Sequence, residues 1–139
     1  MIKPIAIIAT IAALTACFGA PPNEKILTDL CTDLMTGDRR VSEDIAGEAG
    51  TDVAGFCGCY AQTIVADPVK TALHKDAISA MVEARKDSDR GVEDAAKFVQ
   101  EQIKSGEIDT FTEEQLDSTG DDYQNISDIM SANGGSCPA

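Results

Sequence analysis

Apolar residues recur at intervals of three and four along almost the whole chain beyond residue 23, a spacing that fits one face of a helix and does not fit a strand. Ile26, Leu27, Leu30, Cys31, Leu34 and Met35 mark a first helix, with a stop at Gly37. Val53, Phe56, Cys57, Tyr60, Ala61, Ile64 and Val65 mark a second, beginning near Thr51. Asp67-Pro68 ends it and also supplies the cap and first position of a third, whose Val69, Leu73, Ala77, Met81 and Ala84 align on one side. A fourth carries Val92, Ala95, Ala96, Val99 and Ile103 and stops at Gly106. The fifth has a capping box in Thr112 and Gln115, a staple between Phe111 and Leu116, and a continuing apolar side at Tyr123, Ile126 and Met130. The polar stretch 38–50 holds at most a short helix near Ser42. The expected fold is therefore all-α, a small bundle of four or five short helices over residues 24–139. With no Trp, two Tyr and four Phe, its core is built from small aliphatic side chains, which suit helices better than sheets.

Cysteine placement adds the second constraint. Cys31, Cys57, Cys59 and Cys137 form an even set, and a small core gains roughly 2–4 kcal/mol from each bridge in an oxidising compartment. In a helix Cys57 and Cys59 project from nearly opposite sides, because two residues turn about 200°. A bond between them would require a break at Gly58. Two pairings remain: Cys31–Cys57 with Cys59–Cys137, favoured because Cys31 and Cys57 both lie in apolar stripes, or Cys31–Cys59 with Cys57–Cys137. A different use of Cys57-Gly58-Cys59 is a reactive dithiol or a Cu(I) site. It lacks neighbouring basic residues to lower a thiol pKa, and its spacing matches neither zinc knuckles nor thioredoxin-like motifs.

The amino-terminal segment has another character. Lys3 precedes an apolar run at residues 5–14, too short for a membrane span of about 20 residues and followed by small residues, as in a secretory leader. The tetrad Leu14-Thr15-Ala16-Cys17 resembles the lipobox of bacterial lipoproteins. The resemblance implies a leader over residues 1–16, cleavage before Cys17 and a lipid on the Cys17 thiol. Residues 17–23 then form a short tether stiffened by Pro21 and Pro22. By resemblance to lipoprotein sorting in envelopes with two membranes, Phe18 in place of Asp favours the outer membrane, with the domain facing the periplasm.

Charge narrows the partners. The chain carries 24 acidic and 11 basic residues, a net charge of −13. Lys3 is the only charge before Cys17, so the remainder is more negative still, and no basic residue follows Lys104. Such a surface repels nucleic acid and anionic lipid alike, leaving the lipid on Cys17 as the membrane contact. Glu113, Asp117, Asp121 and Asp122 in the last third form a candidate contact surface for a basic envelope protein.

Other constellations carry less. His74 is the only histidine and reads as a boundary or surface residue; with Asp76 and Ser79 on the same helix it does not converge as a catalytic triad. Residues 117–128 have oxygen ligands at several calcium-loop positions, but Asp122 replaces the required glycine and Asp128 the closing glutamate. No cofactor or metal is expected. The expected function is non-catalytic, binding an envelope protein or ligand. The alternatives are the thiol or copper role at Cys57 and Cys59, and an inhibitor or immunity role against a basic toxin or hydrolase.

Overall fold

A computed structural model describes residues 21–139, and every regular element among them is helical. The leader, Cys17 and most of the tether lie outside the described residues. Helix α1 (Pro22–Met35) starts inside the expected tether, because Pro22 occupies the first turn, where a missing N–H forfeits no helical bond. It buries Leu27, Cys31, Leu34 and Met35 and leaves Ile26 exposed.

The polar stretch 38–50 is more ordered than expected. Helix α2 (Arg39–Asp44) runs into a π-helical segment (Ile45–Ala49), which brings the described residues to six α-helices and one π segment rather than four or five helices. Its signal is short but readable: Val41, Ile45 and Ala49 recur at fours, and Ile45 and Ala49 are buried. The wide turn closes with the Gly50 N–H donating to the Ile45 carbonyl at 3.1 Å, and Gly50 takes a left-handed conformation at φ 72°. Asp38 joins two helices. One carboxylate oxygen accepts from the Val41 N–H at 3.3 Å to cap α2, and the other accepts from the Val92 N–H at 2.8 Å.

Helix α3 (Val53–Ile64) is capped by Asp52, which accepts from the Gly55 N–H at 2.7 Å. It passes through Gly58 unbroken, so Cys57 and Cys59 leave on different sides. Cys31 bonds to Cys57, joining α1 to α3 with the Cα atoms 5.5 Å apart. Cys59 bonds to Cys137 with the Cα atoms 5.2 Å apart, returning the tail to α3. That return needs glycine at 135, where φ is 85° and a Cβ would collide with the Gly50 carbonyl.

Helix α4 (Pro68–Arg85) begins at Asp67-Pro68, with Asp67 accepting from Val69 and Lys70 N–H groups at 2.8 and 3.2 Å. Its buried stripe is turned from the expected one. Ala77, Met81 and Ala84 are inside, but Val69 is 78% exposed, Leu73 only half-buried, and Thr71, His74 and Ile78 are inside. The polar members fit because they are bonded: the Thr71 hydroxyl lies 2.8 and 3.1 Å from the Asp67 and Ile64 carbonyls. Helix α5 (Val92–Ser105) ends at Gly106, and α6 (Glu113–Ala132) opens with the capping box of Thr112 and Gln115. Phe111 and Leu116 are both buried.

Helix α1 lies on α3 and α4, α4 also packs on α5, and α6 covers the π segment while touching α3, α4 and α5. Lys75 reaches Asn23 at 3.3 Å near the start of α1, and Arg85 reaches the Leu34 and Thr36 carbonyls near its end, so α1 and α4 run parallel. Among the described residues no helix is long and apolar enough to cross a membrane.

Candidate functional site

An open groove of about 1030 Å³ lies toward the end of the bundle away from residue 21. Its floor comes from the C-terminal half of α1 (Cys31, Leu34, Met35) and from Ile78 and Met81 on α4. Val41 on α2, Val92 and Ala96 on α5, and Leu116 and Tyr123 on α6 extend the apolar lining. Helix α2 meets α5 near its start. There Asp38 holds the Val92 N–H and Arg40 pairs with Glu93 at 3.0 Å. Helix α1 has 14 residues, and a rise of about 1.5 Å per residue puts Cys31 to Met35 about 14–20 Å along the helix from Pro22.

Charges on the groove are unevenly committed. Its five basic side chains are all engaged within the protein. Arg39 pairs with Glu43 at 3.7 Å, while Arg40 and Lys97 both pair with Glu93, at 3.0 and 2.7 Å. Arg85 donates to the Leu34, Thr36 and Arg90 carbonyls. Arg90 donates to the Ala84 carbonyl and lies over the Phe98 ring, 4.1 Å from its centre. By contrast Asp44, Asp89, Asp94, Asp117 and Asp121 line the groove, are exposed, and make no ion pair among the described residues. Burial, reinforced by the carboxylates of Glu48 and Asp44, pushes the Tyr123 phenol up to about 12, so it stays a neutral hydroxyl at the groove wall.

Behind the groove runs a buried polar chain that no sequence pattern announced. His74, expected at a boundary, is fully buried. The Tyr60 hydroxyl bonds to its Nδ1, and its Nε2 lies 2.9 Å from Asp122 Oδ2. Asp122 Oδ1 accepts from Lys70 Nζ at 2.6 Å. A carboxylate only accepts, so the proton of His74 sits on Nε2, and Tyr60 then donates to Nδ1. The chain thus ties α3, α4 and α6 together, with every buried side-chain polar atom among the described residues satisfied. Burial drives the Tyr60 phenol well above its usual range, with the Asp122 charge adding to it. A phenol so placed does not ionise near neutrality, so Tyr60 acts as a donor that fixes the imidazole.

Burial also holds His74 below its usual 6.5, outweighing the opposing hydrogen bond and charge of Asp122, while Lys70 adds to the lowering. For Asp122, burial works upward, and the hydrogen bonds and charges of Lys70 and His74 together outweigh it and hold the carboxyl below 3.8. As pH falls through 6.5 the unfolded chain takes up a proton at His74 that the folded chain refuses, so stability is lost on acidification. Since His74 is the only histidine, the unfolding free energy should fall between pH 7 and pH 5.5 in the native protein. His74→Gln should be flat across that window. Urea titrations at several pH values read this directly, and a native stability that stays level or rises on acidification would contradict the burial of a neutral imidazole.

The four acidic residues singled out in the last third separate. Asp117 and Asp121, one turn apart on α6, line the groove. Glu113 pairs with Lys104 at 3.4 Å and does not line it. Asp122 turns inward to His74 and Lys70, its side chain 16% exposed. Residues 117–128 are a continuous part of α6, so their carboxylates radiate around a helix instead of converging in a loop. The sulfurs of Cys57 and Cys59 are each bonded to a distant cysteine. Among the described residues no group of three or more His, Cys, Asp or Glu side chains is arranged to hold a metal. No protein-family model, curated protein or solved structure matches the chain.

Proposed function

We propose that this chain is an exported envelope lipoprotein, anchored by lipid on Cys17, whose helical domain serves as a non-catalytic binding module with the groove as its binding site. The groove carries the reading: an open concavity whose accessible apolar lining is the half-buried Val41, Val92, Ala96 and Tyr123, rimmed by charge and large enough for several side chains of a partner. Two closed disulfides support the exported setting, since such bonds persist in oxidising compartments. The lipobox-like Leu14-Thr15-Ala16-Cys17 supports the anchor, and Phe18 after it favours the outer membrane where the host has two. Residues 18–21 are a short link to α1, so an anchored domain would present its groove at the end of α1 farther from the lipid.

Site-specific photocrosslinking in the native envelope tests the binding role. Gly120 lines the groove and has open space where a Cβ would stand, whereas Asp109 is exposed and away from it. A photoreactive residue at 120 should yield a discrete adduct that the same residue at 109 does not. Absence of an adduct at 120, or the same adducts from both positions, would remove the groove as the binding site.

A further inference from the structure

We infer that the occupant of the groove is a lysine- or arginine-rich amphipathic segment of a partner protein; this rests on the reading of the domain as a binding module. The half-buried Val41, Val92, Ala96 and Tyr123 on the groove wall call for a segment with an apolar face, since covering their remaining apolar surface is a source of affinity there. The rim then selects the charge of the other face. Every basic side chain on the groove already has a partner inside the protein. Five aspartates on the same rim have no ion-pair partner among the described residues. An acidic segment would meet uncompensated like charge, and so would a second copy of this chain, whose net charge is −13. A cationic segment meets Asp117 and Asp121 spaced one helical turn apart on α6, with Asp44 on α2.

The methionines make this testable on the full lipidated chain in phosphatidylcholine nanodiscs. Met35 and Met81 line the groove, and Met130 is buried elsewhere. The probe is a 14-residue amphipathic helix of Lys and Leu, read through carbon-13-labelled methionine methyl signals. Met35 and Met81 should shift with added peptide while Met130 does not, and an analogue with Gln for every Lys should bind much more weakly. Asp44→Asn with Asp117→Asn and Asp121→Asn should weaken the Lys peptide about tenfold, and more at low salt. Glu101→Gln with Glu107→Gln and Asp109→Asn, which removes the same charge away from the groove, should leave the affinity unchanged. Equal binding of the Gln analogue, or equal weakening by both triple variants, would overturn the cationic specificity while leaving a groove that binds. If neither peptide moved Met35 or Met81, both the specificity and the groove's binding role would be overturned.

Discussion

Cys59→Ala with Cys137→Ala should lower the unfolding free energy by about 4 kcal/mol, read as a fall in the urea midpoint together with a steeper slope, because the uncrosslinked unfolded chain exposes more surface. The bond spans a sequence separation of 78, so its loss frees most of the domain in the unfolded chain. A chain-entropy calculation for a loop of that size gives roughly 4.5 kcal/mol. In the folded state the bond also holds the tail at the tight passage between Gly50 and Gly135, which would fray without it. The Cys31–Cys57 bond spans 26 positions, and its loop contribution is smaller, roughly 3.6 kcal/mol. It lies in the core beside the Met35 sulfur, so its removal also loses packing, and the two double variants should be comparably damaging. A shift under about 1 kcal/mol for Cys59→Ala with Cys137→Ala would mean that the tail is not restrained as described.

Phe56→Ala should cost about 3–5 kcal/mol, the range for emptying a large, fully enclosed core position. Phe56 is the largest of the fully buried side chains, with the Tyr123 ring 4.6 Å from its own and the Tyr60 ring 6.4 Å away. Phe56→Leu keeps most of the volume and should cost less than half as much. Because Tyr123 forms the groove wall in front of Phe56, the alanine variant should also loosen that wall. Far-UV circular dichroism in urea measures the stability of both variants. Near-equal costs for alanine and leucine would show that the site collapses freely and is not the packed centre of the domain.

What was legible in the sequence was the local part. Caps at Asp67 and Thr112, stops at Gly37 and Gly106, and the apolar stripes of α1, α3, α5 and α6 depend on residues a few positions apart, and the structure places them there. Cysteines followed the same logic, because stripe membership decides which thiols face each other. The π segment was harder, since Gly47 and the charged residues around it dilute a stripe of only Val41, Ile45 and Ala49. On α4, Thr71 takes the interior place instead of Val69 because its hydroxyl reaches the Asp67 and Ile64 carbonyls across the turn from α3, a bond that apolar periodicity does not register. His74 is the clearest case. It is buried only because Tyr60 and Asp122, the latter 48 residues away, satisfy both ring nitrogens, and no local pattern encodes such a meeting.

The candidate site was half legible for a related reason. Composition drew attention to the acidic last third, and Asp117 and Asp121 do stand on the groove. Asp122, one position further on, is turned about 100° around α6 and faces the interior. Glu113 is on the side of Asp117 but reaches Lys104 instead. The groove itself is a space between α2, α5 and α6, which depends on how helices fail to meet, and periodicity describes only how each one packs.

Intact mass, measured on protein extracted from its native membranes and alkylated without reduction, reads the lipid anchor and both disulfides at once. The expected species is a chain beginning at Cys17, heavier by its lipid, with no alkyl group added because all four remaining cysteines are bonded. An unlipidated chain still beginning at Met1 would contradict the anchored, exported reading. Alkyl groups on Cys57 and Cys59 would contradict the closed domain and make that pair the reactive site.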